Sequence, residues 1–235
     1  MKDQFEPTDR SRVRRRAYRG SYDHEAVFGI LDAGLLCHLA YAIDGQPFCT
    51  PTAYWREDDR VYWHGSAASR MLRAQSAGIP VCLTVSHVDG LVLGRSGFTH
   101  SVNYRCVMAF GRPSPVTDLE AKRRGMDLFL ERLYPGRTRE VRPARDAELE
   151  AITIVGMTIE EASAKIRSGG TVDPEAELDA PCWAGVVPLA VTIGPAEDDA
   201  RLRQGTARSP SLADYTAGDR FDALLSSHAL ARPSR

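Results

Sequence analysis

Thr50 to Met71 reads TPTAYWREDDRVYWHGSAASRM, and the folding of this stretch decides the architecture of the 235-residue chain. Thr50, Thr52 and Tyr54 alternate with Pro51, Ala53 and Trp55, the two-residue period that sends successive side chains to opposite faces of a sheet. Glu57, Asp58 and Asp59 make a polar hairpin connection. Val61 to His64 resumes the alternation and Gly65-Ser66 interrupts it. Ala67, Ala68, Met71, Leu72 and Ala74 then suit a helix with one apolar side, for which Ser66 is the expected N-cap. A helix that starts directly after a strand presents unpaired N–H groups and the positive end of its dipole. With the Arg70 guanidinium and the hydroxyls of Ser66 and Ser69 beside them, these suit a phosphate dianion; the alternative is an ordinary capped helix with a solvated arginine. Neither G-x-G-x-x-G nor G-x-x-x-x-G-K occurs here, so a Rossmann or P-loop reading has no motif behind it.

Upstream, Ser21 and Asp23 offer caps for a short helix carrying Val27, Ile30 and Leu31, closed by Gly34. Leu35–Ile43 reads as a strand, joined through the hairpin dipeptide Asp44-Gly45 to a second strand over Gln46–Trp55. Pro47 and Pro51 lack N–H donors, which puts this second strand at an edge or a bulge that aims side chains at a ligand. Downstream, a strand is expected over Val81–Val85, a turn at Asp89-Gly90, and a further strand in which Tyr104, Cys106, Met108 and Phe110 alternate with Arg105, Val107 and Ala109. Thr117-Asp118-Leu119-Glu120 is a capping box before a helix whose Leu119, Met126, Phe129, Leu130 and Leu133 form a core-facing stripe. Ala151–Arg167 reads as one strand and Val186–Ile193 as the last, with a peripheral helix near Phe221–Leu225. Six or seven strands linked mainly by hairpins predict a mainly β chain: a closed or nearly closed antiparallel barrel with a few peripheral helices. The expected divisions are a basic arm over 1–20, one domain over 21–195 and a polar tail over 196–235.

The chain is 43% hydrophobic with a formal net charge of −1, which suits an ordinary globular protein and argues against nucleic acid or an anionic membrane as the main partner. Arg10, Arg12, Arg14, Arg15, Arg16 and Arg19 still form a basic arm, read as a solvated tail. Cys37, Cys49, Cys82, Cys106 and Cys182 are scattered, with neither zinc-site spacing nor a disulfide framework, so a cytoplasmic setting and no metal site are expected. No apolar run approaches the length of a membrane span.

YWHGSAASRM (62–71), HSVNYRCVMAFGR (100–112) and CWAGVVP (182–188), in this order and spacing, resemble the FMN-binding split-barrel superfamily. That superfamily includes pyridoxamine 5'-phosphate oxidase, and the resemblance is greatest to its nitroimidazole-resistance branch, over roughly Arg14 to Ile193. It implies a homodimer of six-stranded Greek-key barrels with FMN at the subunit interface. It further implies that the segment from His64 through Gly65, Ser66 and Ser69 to Arg70 holds the phosphate, with Arg70 where relatives commonly have Lys. Pro51, Thr52 and Tyr54 would run along the flavin's polar edge. Arg105 and Cys106 match an Arg-Gln pair in the oxidase, Cys106 replacing a hydrogen-bonding residue. Trp183 matches a tryptophan that closes over the flavin from the second subunit. The arginine and histidine with which the oxidase binds its substrate are not recognisable after Trp183, which weakens a vitamin B6 assignment.

The same residues suit a flavin without that resemblance. A flat tricycle with one hydrogen-bonding edge and a phosphate tail needs an aromatic wall, edge donors and a cationic anchor, which Trp183, Tyr104, Thr52, Arg70 and Arg105 can supply. His64 is the candidate proton donor, and His100 a weaker one. Lys165 and Arg167 are a further basic pair. The expected activity is an FMN-dependent oxidoreductase acting on a small organic molecule such as a nitroaromatic, with NADH or NADPH as donor. The alternatives are a dimer that stores FMN or deazaflavin without turnover, and a barrel with no cofactor.

Overall fold

In the computed structural model, which describes residues 3–231, Asp44 and Gly45 have φ of 50° and 78°. Two successive positive φ values are what a two-residue hairpin of type I′ requires, so the dipeptide fixes the register of the strands it joins. In chain order the elements are β1 (Gly20–Ser21), α1 (His24–Asp32), β2 (Leu36–Ile43), β3 (Gln46–Glu57), β4 (Arg60–Ser66), α2 (Arg70–Ser76), β5 (Val81–Leu93), β6 (Ser101–Gly111), β7 (Pro113–Val116), α3 (Leu119–Leu133), α4 (Asp146–Glu150), β8 (Ile152–Thr158), β9 (Glu161–Arg167), β10 (Gly185–Pro188) and α5 (Phe221–Leu230). The strand order is β1-β9-β6-β5-β2-β3-β4-β8-β7, with β10 pairing β5 beside that path, and every pairing is antiparallel.

Bent ribbons bring the margins of this sheet together. β6 runs on into β7, and β8 into β9; β6 pairs β9 up to Phe110↔Glu161, while β7 pairs β8 from Pro113↔Met157. One bent hairpin therefore contributes to both ends of the strand order and curls the sheet into a barrel. The bend needs glycine: a Cβ on Gly111 would stand 2.4 Å from the Thr158 carbonyl oxygen. Alternate residues point inward, so Cys37, Leu39, Val61, Trp63, Leu83, Val85, Val107, Ala109, Val155, Met157, Ala162 and Ala164 form the core, with Val27, Ile30 and Leu31 of α1 packed among them. Trp63 Nε1 donates to Gln75 Oε1 at 2.9 Å, which ties α2 to β4.

Several expectations are corrected. The sheet has ten strands, not six, because two ribbons bend and the short β1 and β10 are added at the periphery. Residues 151–167 form two strands around the Ile159-Glu160 corner. Asp89-Gly90 is a bulge inside the continuous β5, opposite β6, and not a turn. The last strand ends at Pro188. α2 starts three residues later than expected: Ser69 is its cap, accepting from Leu72 N at 3.4 Å, while Ser66 Oγ accepts from Ala68 N at 3.2 Å. With seven residues, α2 is too short to supply much of a dipole. Asp118 caps α3, its carboxylate accepting from Ala121 N at 2.7 Å.

The two termini are also more ordered than their composition suggests. Phe5 and Ser11 are buried, Phe5 N donates to Tyr22 O at 2.9 Å, and Thr8 and Arg10 bond Glu161 on β9. The arm is therefore laid along the barrel. At the other end α5 is anchored by buried Leu225, by a hydrogen bond between His228 Nδ1 and Arg132 O at 3.2 Å, and by Asp222, which accepts from Arg105 at 2.8 Å.

Candidate functional site

The proposed phosphate residues stand at the end of the barrel where β2 turns into β3. Arg70 is exposed, its guanidinium 4.4 Å from the centroid of Phe48, which in turn stacks on Tyr41 at 5.5 Å. Among the described residues no carboxylate pairs with Arg70, so its charge is available to a ligand. Ser66 is exposed and Ser69 half-buried beside it; Gly65 lies against α2, where a Cβ would meet Leu72 at 3.2 Å.

Strand parity separates the residues expected along the flavin edge. Pro51, opposite His38, faces outward, whereas Thr52 and Tyr54 take the opposite face. Tyr54 is fully buried, its hydroxyl donating to the Leu31 carbonyl, and burial pushes its pKa up. His64 faces away from the barrel interior, under α3, with its ring 5.3 Å from Phe129 and 6.1 Å from Trp55. Burial pushes its pKa down, so it is neutral near pH 7, and its Nδ1 is buried without a partner among the described residues. Next to Trp55, a cavity of about 310 Å³ is lined by Tyr62, Arg60, Arg124, Gly125 and Ile154 among others.

On β6, Tyr104 and Cys106 point outward and Arg105 inward. The Arg105 guanidinium is held by Asp89 at 2.8 and 2.9 Å and by Asp222 at 2.8 Å, so its charge is already matched. Cys106 donates to the Lys165 carbonyl at 3.6 Å. Trp183 is 64% exposed and precedes β10 at the far end of β5. It is separated from the Arg70 end by most of β5, about 40 Å along a strand of that length. Arg70 and Trp183 of one chain do not meet.

Between these ends, outward residues of β2, β3, β5, β6 and β10 form a bare face. Leu36, Val88, Leu91, Val102, Met108 and Val187 are each between 39% and 58% exposed there, among small neighbours such as Ala40 and Cys49. A patch of this kind marks an interaction surface.

A second cluster lies near the Trp183 end. Arg16, Arg19, Arg167, His100, Phe98 and Val172 are among the residues around a cavity of about 170 Å³. Phe98 is 96% exposed, and Tyr18, also exposed, lies against Arg19, whose guanidinium is 5.5 Å from its ring centroid. His100 and Arg167 each carry a signal of their own in the sequence; Phe98 carries none, and Arg16 and Arg19 belong to a basic run whose composition alone implies a solvated arm. An aromatic residue in a loop between two strands gives no periodicity by which to find it.

Residues 23–166 match a family model described as pyridoxamine 5'-phosphate oxidase. The chain belongs to this family, within the FMN-binding split-barrel superfamily. Among solved structures, the flavocytochrome Anf3 from Azotobacter vinelandii is 39% identical, with 90% of this chain and 98% of that one covered and a TM-score of 0.84. The FAD and heme binding protein from Mycobacterium smegmatis is 33% identical over 85% of this chain and 98% of its own, with a TM-score of 0.81. A putative 5-nitroimidazole antibiotic resistance protein from Bacteroides thetaiotaomicron shares the fold at 19% identity and a TM-score of 0.51, covering 63% of this chain and 86% of that one. No curated protein matches the chain. Among the described residues, no helix is long and apolar enough to cross a membrane.

Proposed function

We propose that this protein is a flavin-dependent redox protein that works as a homodimer and carries a heme beside the flavin. The observation that carries the proposal is the 39% identity to a flavocytochrome over 90% of this chain and 98% of the relative. FAD is the proposed flavin in place of the expected FMN, because a second relative, 33% identical, is described as binding FAD and heme. The nitroaromatic substrate recedes, since the nitroimidazole-resistance protein shares only the fold.

The unpaired Arg70, with Ser66 and Ser69, suits the flavin's phosphate, and Trp183 of a second copy suits its ring. A flavin accepts two electrons from a donor such as NADH or NADPH and releases them singly, which is the chemistry that feeds a heme iron. For this the chain's residues bind and orient. His64, neutral and walled by Phe129 and Trp55, can accept a proton, but near pH 7 it does not hold one to give.

The test is the purified full chain: its absorption spectrum, mass spectrometry of the released cofactors, and bleaching by NADH or NADPH. FAD and heme together, with a flavin band that bleaches, are expected. FMN alone would restore the simple oxidoreductase, a flavin that no donor bleaches would favour storage, and a colourless protein indifferent to both cofactors would end the proposal.

A further inference from the structure

We propose that the cavity between α3 and the outer face of β3, β4, β8 and β7 is a binding site for a small aromatic carboxylate, held by the guanidiniums of Arg60 and Arg124. Strand register builds its floor. Trp55 lies opposite Tyr62, Tyr62 opposite Gly156 and Gly156 opposite Ser114, so these four form one row on the side of the sheet away from the barrel core. Ala121, Arg124 and Gly125 of α3 line the space from the other side. Its volume, about 310 Å³, is at the lower end of the ~300–1,000 Å³ that small-molecule sites occupy. A glycine shapes the row: a Cβ on Gly156 would stand 2.5 Å from Tyr62 Cε1 and 3.1 Å from Arg60 Nη2. Over that bare backbone the Tyr62 ring stacks on Trp55, with centroids 5.5 Å and planes 14° apart, and the Arg60 guanidinium reaches to 5.5 Å from the Tyr62 centroid.

Arg60 is turned into this space and away from its natural partner. Glu57 stands directly opposite it across the β3–β4 hairpin, where a carboxylate and a guanidinium ordinarily pair. Among the described residues, however, neither Arg60 nor Arg124 forms an ion pair with a carboxylate, and Arg60 Nε is buried without a partner. Trp55 is 0% exposed, and its Nε1 likewise has no acceptor among the described residues. Burial pushes the Tyr62 pKa up, so its hydroxyl keeps its proton; Arg60 and Arg124 pull the other way, Glu57 and Asp59 with the burial. An indole N–H, a phenol and two guanidiniums are donors, and Glu57 is the single carboxylate among the described lining residues. A guanidinium held partly out of water without a counter-charge is costly, and an anion relieves the cost.

The rest of the lining selects what carries the negative charge. Val116, Ala121 and Ile154 present apolar side chains beside the Trp55–Tyr62 stack. An inorganic ion makes no use of such surface, whereas a flat ring packs against aromatic neighbours and aliphatic side chains alike. A carboxylate is also the planar group that matches the fork of a guanidinium. Charge, flatness and an apolar body together describe an acid whose carboxyl is borne on an aromatic ring.

Benzoate is the probe, titrated calorimetrically into the full chain as purified, with benzamide as its uncharged counterpart and inorganic phosphate as an anion without a ring. Flavin content and melting temperature are followed alongside, and Arg60→Gln and Arg124→Gln are treated alike. Wild type is expected to bind one benzoate per chain, and benzamide and phosphate at least tenfold more weakly. Each variant should lose at least tenfold in benzoate affinity, as for a lost bond to a charged group. Arg124 is exposed, so Arg124→Gln should keep the wild-type melting temperature and flavin content, and it carries the test even if Arg60→Gln folds poorly. Wild type without saturable benzoate binding would overturn the site. Arg124→Gln that binds benzoate as wild type does would overturn it too, by putting the bound benzoate elsewhere. Phosphate bound as tightly as benzoate, with the same loss in both variants, would overturn the choice of an aromatic carboxylate. Loss of flavin from Arg124→Gln would give the cavity to the cofactor and end the proposal.

Discussion

Replacing Arg132 with Met should destabilise the fold by about 2–4 kcal/mol, a balance of one large cost and one smaller relief. Arg132 is 1% exposed on α3, and its partners are carbonyls. Nη1 donates to Tyr54 O at 3.2 Å; Nη2 donates to Leu31 O at 3.2 Å, to Asp32 O at 3.1 Å and to Gly34 O. Leu31 O also accepts from Gly34 N at 3.2 Å and from the Tyr54 hydroxyl, so it survives the change. Asp32 O and Gly34 O lose the donor that α3 brings them, at about 1–3 kcal/mol each. The cation at the C-terminal end of α1 is worth up to about 2 kcal/mol more. Against this, Met spares the protein the desolvation of a buried guanidinium, a penalty of several kcal/mol. Methionine fills similar volume, so no large cavity is added. At 2–4 °C per kcal/mol for a chain of this size, the melting temperature should fall by roughly 5–15 °C. Thermal unfolding followed by circular dichroism measures it, and Arg132→Lys, with one donor group in place of a fork, should recover only part. If Arg132→Met melted at or above the wild type, the guanidinium would not be what joins α1, β3 and α3.

Arg70→Ala should weaken flavin binding about tenfold, the low end expected for a lost charge-assisted bond because the group is exposed, and should barely move the melting temperature; an unchanged flavin titration would refute the phosphate role. Asp222, bonded first by Arg220 and also by Arg105, has its pKa held below the ordinary carboxylate range. A depressed folded pKa contributes stability that is complete above the unfolded value and is lost as pH falls through the folded one, here below about pH 4. Asp222→Asn should therefore flatten the acid side of the stability curve, and urea midpoints at neutral and acid pH that shift in parallel with wild type would contradict this. Burial pushes the Cys37 thiol up to about 12, while Cys182 is exposed, so a thiol reagent should modify Cys182 in the native protein and Cys37 only after unfolding, as peptide mapping would show.

Local chemistry decided which parts of the fold could be read in advance. Asp44-Gly45 was legible because a type I′ turn admits few other residues, and β6 because one face is core and the other is not. Asp89-Gly90 carries the same kind of dipeptide, yet both flanks pair with β6 and Asp89 is engaged by Arg105, a partner sixteen residues away. The corner between β8 and β9 left no mark because Ile152 to Ile159 keeps a strand composition up to it. The arm was hidden by its arginines: Phe5 and Ser11 are buried against a surface that only the folded barrel provides. For the candidate site, sequence order located both ends of the sheet but could not place them at opposite ends of β5.

That separation makes a concrete demand on the proposed dimer. If Arg70 of one chain and Trp183 of another are to bracket one flavin, the bare faces must pack with the two-fold axis running across the strands, so that each end of β5 meets the opposite end in its partner. An axis along the strands would set like ends together and leave every flavin half enclosed. Met108 lies on β6 within this face and is 39% exposed. Met108→Arg places a charge within this apolar face without touching Arg70, Ser69 or Trp183. It should give a monomer by light scattering that has lost its flavin while unfolding at nearly the wild-type temperature. A monomeric Met108→Arg that held flavin as tightly as wild type would show that one chain suffices for the site, and the interface would have no part in binding.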